Sequence, residues 1–100
     1  MMNASLAKMV DRCDEVSRVL KVLAHPDRLK VLCFLMEDGK SVGELTDFCG
    51  ISQSAMSQFL IRMKNEGVLE SAREGAKTYY SISEPNLKKL VRSLKEIYCK

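Results

Sequence analysis

The side chains best suited to nucleophilic, redox or soft-metal chemistry are four cysteines, Cys13, Cys33, Cys49 and Cys99, and one histidine, His25. A thiolate attacks peroxide or sulfane sulfur to give a sulfenic acid or a persulfide, and a second thiol can then resolve it. Three thiolates together could capture a soft metal or metalloid ion. No pair has the Cys-x-x-Cys spacing, so neither a zinc ribbon nor a thioredoxin-type dithiol is present. Lys95 and Lys100 lie beside Cys99, and ammonium groups favour a thiolate, which makes Cys99 the more exposed and reactive candidate. Cys33 falls in the apolar run Val31-Leu32-Cys33-Phe34-Leu35 and is expected to be set among apolar residues. Packing suffices to explain Cys49, and Cys13 as well, although Cys13 could face a dimer mate.

Hydrogen-bonding groups form a second chemical set. Ser52-Gln53-Ser54-Ala55-Met56-Ser57-Gln58 presents small hydroxyls and primary amides in close succession. Such groups reach base edges in a DNA major groove, where glutamine matches adenine with two hydrogen bonds. The sequence offers no nucleophile, base and orienter set, no glycine-rich phosphate loop and no dithiol motif, so no enzyme and no cofactor are expected.

These residues need elements to hold them. Leu6, Met9, Val10, Cys13, Val16, Leu20 and Leu23 recur at helical period and predict one long first helix. It ends at His25-Pro26, because proline lacks an amide hydrogen and restricts the residue before it. His25 at that boundary suits a local capping or surface role better than metal ligation. Pro26 then opens a second helix to about Glu37, with an apolar surface of Leu29, Leu32, Cys33, Leu35 and Met36. Ser41 with Glu44 is a capping box for a short third helix, Val42 to Phe48. Gly50 makes a tight turn, Ser52 caps a fourth helix to about Glu66, and Gly67 ends it. Two β-prone runs, Val68 to Arg73 and Lys77 to Ile82, flank a glycine-bearing turn and predict a hairpin. Ser83 to Pro85 starts a last helix, reaching Cys99, whose stripe is Leu87, Leu90, Val91, Leu94, Ile97 and Tyr98.

The predicted fold is therefore mainly α with a small β-hairpin, in the order α-α-α-α-β-β-α. It forms a single domain over residues 1–100. The third and fourth helices make a helix-turn-helix and the hairpin makes a wing, which places the fourth helix in the major groove. Met56, Phe59, Leu60 and Met63 would anchor that helix, leaving Ser54, Ser57, Gln58, Ile61 and Asn65 on or beside its outer side. Gln53, Ser54, Ser57 and Gln58 are the candidate base contacts, and Arg62, Lys64, Arg73 and Lys77 the candidate phosphate contacts.

Leu23 to Leu32, Gly43-Glu44-Leu45, Ile51 to Gln58, Gly67-Val68 and Tyr79-Tyr80, taken as an ordered set over nearly the whole chain, resemble the ArsR/SmtB family of winged-helix repressors. The resemblance implies a homodimer through the first and last helices, binding an inverted-repeat operator in double-stranded DNA. Where members of the family carry a Cys-Val-Cys metal motif, Ser41-Val42-Gly43 stands here, and the last helix has no histidine. The remaining pattern resembles the BigR, SqrR and HlyU subgroup. That likeness implies that Cys33 and Cys99 form a redox pair whose cross-linking by reactive sulfur species or an oxidant lowers DNA affinity.

Composition fits this class. A net charge of +3 permits nucleic-acid binding without demanding it, and 46% hydrophobic content makes a lean core that a partner surface would help. Charges interrupt the opening segment at Lys8, Asp11 and Arg12, so no signal peptide or membrane span is expected, and the chain is placed in the cytoplasm with reduced thiols. Two alternatives stand beside this reading. One is a metal or metalloid sensor using cysteine ligands; the other is a winged-helix protein interaction module with no DNA target.

Overall fold

The computed structural model describes residues 3–99. Six helices and three strands follow in the order α1 (Ala4–Asp11), α2 (Cys13–Leu23), α3 (Pro26–Phe34), β1 (Lys40–Ser41), α4 (Val42–Cys49), α5 (Gln53–Asn65), β2 (Leu69–Glu74), β3 (Lys77–Ile82) and α6 (Pro85–Tyr98). The fold is the predicted winged helix-turn-helix, with two local departures.

First, the single long opening helix is two helices that meet at Arg12. The Arg12 amide is shared between the Lys8 and Met9 carbonyls, at 3.2 and 3.1 Å, which tightens the turn. The Cys13 thiol donates to the same Met9 carbonyl at 3.3 Å, a back-bond that competes with the helical ladder. Apolar periodicity continues through such a joint, so the stripe alone does not betray it.

Second, the sheet has three strands, not two. The two-residue β1 pairs antiparallel with β3 through Lys40 opposite Tyr80 and Ser41 opposite Tyr79, giving the order β1-β3-β2. A pair of residues is too short to show alternation. To admit it, α3 stops at Phe34 rather than near Glu37, and the Met36 amide bonds the Cys33 carbonyl at 3.4 Å in a tighter last turn.

The core is continuous from α2 to α6. Val31, Leu32 and Leu35 supply its centre from α3 and the turn after it, Leu45 from α4, Met56, Leu60 and Met63 from α5, and Val91 from α6. Each large side chain buried here contributes roughly 1.5–3 kcal/mol of transfer free energy. Cys33 is exposed, contrary to its expected place in the apolar surface of α3, because Val31, Leu32 and Leu35 take the inward side of that helix. Leu29 and Met36 pack only at the margin.

Candidate nucleic-acid interface

The helix-turn-helix pair is set by three local devices. The Ser41 hydroxyl accepts from the Glu44 amide at 3.3 Å while the Glu44 carboxylate accepts from the Ser41 amide at 3.1 Å, so the capping box closes in both directions. Those bonds favour the carboxylate and hold the Glu44 pKa below its ordinary value, with Lys40 and Lys77 adding to the shift. Gly50, at φ +70°, reverses the chain in a left-handed conformation that a side chain would resist. The Ser52 hydroxyl then accepts from the Ala55 amide at 3.1 Å and starts α5.

That helix has two unlike sides. Met56, Leu60 and Met63 are fully buried and Phe59 packs at the margin of the core, as the periodicity predicts. On the other side Gln53, Ser54 and Gln58 are exposed and Ser57 is half-buried, all within the first two turns. Arg62 is exposed two turns in and shares a shallow surface depression with Gln58, Ile61 and Asn65. The Lys64 ammonium donates to the Ser71 hydroxyl at 2.7 Å, tying the end of α5 to the hairpin. Arg73 and Lys77 stand on either side of the hairpin turn, where the Arg73 guanidinium donates to the Gly75 carbonyl at 3.3 Å. The structure therefore gathers Gln53, Ser54, Ser57, Gln58 and Arg62 on one helix. It places Arg73 and Lys77 apart from them, on the wing.

The thiols fall into two kinds. Cys49, the last residue of α4, is buried, and burial pushes its thiol up. Cys13, Cys33 and Cys99 are exposed free thiols, so Cys13 is not a packing residue within the chain. Cys99 lines an open groove with Met36 and Glu37 from the turn after α3 and Arg92, Lys95 and Glu96 from α6. Cys99 and Lys95 both act electrostatically on Cys33. Surrounding protein mass raises its pKa first, a charge on Cys99 would raise it further, and the Lys95 ammonium opposes both. Lys95 thus acts on Cys33; Lys100, the other lysine expected to act on Cys99, lies outside the described residues.

The Ser41 hydroxyl is committed to the α4 cap, and among the described residues no group of three or more His, Cys, Asp or Glu side chains is placed to hold a metal ion. Two cross-helix contacts have no sequence signature. His25 caps α3 by accepting from the Asp27 amide at 3.2 Å and sets its ring against Phe59 of α5, with centroids 5.2 Å apart. Arg28, its side chain 11% exposed, pairs with Glu66 at 3.4 Å across 38 positions of sequence. Pairing over that distance follows only from the tertiary fold, which brings the start of α3 to the end of α5.

Known proteins share both the sequence and this arrangement. A family model described as bacterial regulatory protein, arsR family, matches residues 25–71, from the α3 cap into the hairpin. The HTH-type transcriptional regulator YgaV of Escherichia coli K12 is 39% identical over 95 residues, covering 94% of this chain and 96% of its own. The chain belongs to the ArsR family. Among solved structures, the transcriptional repressor BigR from Xylella fastidiosa matches with a TM-score of 0.90 at 36% identity, over 99% of both chains. The homodimeric winged helix-turn-helix DNA-binding domain of Mb0332 from Mycobacterium bovis matches with a TM-score of 0.73 at 27% identity, over 96% of this chain and 86% of its own. This ArsR-family chain is accordingly a transcriptional regulator and not an enzyme. Among its described residues no helix is long and apolar enough to cross a membrane.

Proposed function

We propose that this ArsR-family regulator acts in the cytoplasm as a homodimer, binds an inverted-repeat operator, and releases it when Cys33 and Cys99 become cross-linked. The observation that carries the reading is the polarity of α5. Three fully buried side chains fix its inner side while glutamines and serines of its first two turns face solvent. That is the arrangement a major-groove helix requires, with Gln53, Ser54, Ser57 and Gln58 for base edges and Arg62, Lys64, Arg73 and Lys77 for phosphates. Dimerisation is supported by apolar side chains exposed on the terminal helices, among them Leu6, Met9, Val10, Ile97 and Tyr98, and by the homodimeric state of the Mb0332 domain. Output is repression, or displacement of another repressor.

The neighbourhood of Cys33 and Cys99 supports the switch. With a polysulfide, the exposed Cys99 thiolate attacks a terminal sulfane sulfur, the S–S bond breaks, and a shortened polysulfide leaves with the electron pair. Cys99 is left as a persulfide. The Cys33 thiol loses its proton to water and attacks the Cys99 sulfur, expelling hydrosulfide and closing the disulfide. Two thiols are oxidised by two electrons and the sulfane sulfur is reduced. A raised pKa keeps Cys33 mostly protonated at neutral pH, which suits it to the second, intramolecular step, where proximity offsets a small thiolate fraction.

The test is a titration of a duplex, selected in vitro from a randomised library on the reduced protein, with reduced and tetrasulfide-treated samples whose intact masses are recorded in parallel. Reduced protein should bind as a dimer with an affinity that falls steeply with salt, and cross-linked protein should bind more weakly. Cys33→Ser and Cys99→Ser should each stay in the high-affinity state. An unchanged response in both variants would remove the switch, and a failure of the reduced protein to select any duplex would remove the operator reading.

A further inference from the structure

We propose that His25 and Arg28 are positioning residues that let α3 hold the recognition helix α5 at a fixed rotation, so that a change at Cys33 reaches the DNA-reading side through them. This rests on the thiol-switch reading above. The two contacts are different in kind and separated along both helices. His25 meets Phe59 ring against ring, at 5.2 Å and 59° between planes, and Arg28 meets Glu66 as an ion pair at 3.4 Å. Phe59 and Glu66 are seven positions apart, which is two helical turns and therefore one side of α5, about 10 Å apart along its axis. His25 and Arg28 are three apart and share one side of α3.

One contact would let α5 pivot; two at this separation resist both pivoting and rotation about the axis. Each end of the grip is itself constrained. The His25 ring is held by its bond from the Asp27 amide, and Glu66 is the C-cap residue of α5, its amide bonded to the Arg62 carbonyl at 3.0 Å. The Arg28 guanidinium is largely withdrawn from water with Glu66 as its partner, so it is costly to leave unpaired.

Cys33 rides on the same helix, five positions after Arg28 and about 7.5 Å further along. A disulfide to Cys99 requires the two Cα atoms to come within about 4.4–6.8 Å, a demand that falls on α3 as a body because a packed helix moves as a unit. The grip converts that movement into a rotation of Gln53, Ser54, Ser57 and Gln58 relative to the groove.

The experiment compares reduced and tetrasulfide-treated dimers on the selected duplex for the wild type, His25→Asn, Arg28→Glu and the charge-swapped pair Arg28→Glu with Glu66→Arg. Asparagine keeps the helix cap and removes the ring. Intact mass confirms the cross-link in every sample. His25→Asn and Arg28→Glu should each cut the ratio of oxidised to reduced dissociation constants at least about threefold, while the swapped pair recovers most of it. Full wild-type ratios in both single variants, or no recovery in the swapped pair, would overturn the relay while leaving the switch intact. A wild type that cross-links fully without losing DNA affinity would overturn both.

Discussion

The outer side of α5 and the outer sides of α1 and α6 are both exposed on this chain, yet their chemistry is opposite. On α5 the exposed residues of the first two turns are Gln53, Ser54 and Gln58, short or amide-bearing groups that lose little by standing in water. On the terminal helices Leu6, Met9 and Val10 are about half exposed, Ile97 is 61% exposed and Tyr98 is 79% exposed. Single exposed apolar residues are ordinary, but the apolar side chains left open together on α1 and at the end of α6 make a surface that a protein partner would cover. Exposure alone therefore does not identify function. The polar surface suits a hydrated, charged duplex and the apolar one a second protein, and the core between them fixes their relative orientation.

The polar surface loses its support most completely if the anchor beneath α5 is removed. Leu60→Ala deletes a fully buried side chain and should cost about 2–5 kcal/mol of stability, read as a lowered midpoint in urea with unchanged slope. A loss under 1 kcal/mol would mean that α5 is not held as described. Next in size, Ile97→Glu places a charge in the exposed stripe of α6 without touching the core. It should dissociate the dimer by at least about tenfold in sedimentation analysis while leaving the folded monomer intact, since like charges facing each other across a two-fold interface are strongly disfavoured. Unaltered dimerisation would move the interface elsewhere.

On the polar side the expected effects are smaller and of two kinds. Gln58→Ala should lose about 1–3 kcal/mol against its preferred duplex and little against random DNA, because it removes base readout. Arg62→Ala should weaken both nearly equally and lower the salt slope by about one, because it removes a phosphate contact. Equal losses on both duplexes for Gln58→Ala would assign that side chain to the backbone instead.

Much of this arrangement was legible in the residues. The capping box at Ser41 and Glu44, the proline that opens α3, the glycine at position 50 and the 3.6-residue stripe of α5 are local signals, and each specifies local backbone geometry. What escaped was non-local or too short to carry a period. Strand β1 is two residues long, the joint at Arg12 lies within an unbroken apolar stripe, and the Arg28–Glu66 pair joins residues 38 positions apart. The exposure of Cys33 is hidden from the sequence for a related reason. In an almost wholly apolar helix, periodicity cannot say which side faces in, and Val31, Leu32 and Leu35 took the core. The polar side of α5 is legible from its own sequence, whereas a pairing of Cys33 with Cys99 is what the resemblance implies and no spacing gives it.

The smallest predicted effect separates the two surfaces most cleanly, because it acts on α4, which packs chiefly against α5 and α3. Ser41→Ala removes the acceptor for the Glu44 amide and should cost about 1 kcal/mol, a drop of about 4–8 °C in melting temperature for a domain of this size. It should weaken DNA binding without altering the dimer dissociation constant. The same cap carries a pH signature. Glu44 has its pKa depressed in the folded state, so its contribution is fully present above the ordinary glutamate value of about 4.3 and is lost as pH falls through the lower folded value. Glu44→Gln should therefore flatten the acid limb of the melting profile, while leaving the profile above about pH 6 nearly parallel to that of the wild type. An acid limb identical in the two proteins would show that the cap does not hold α4, and the orientation of α5 would then have to come from α3 and the hairpin.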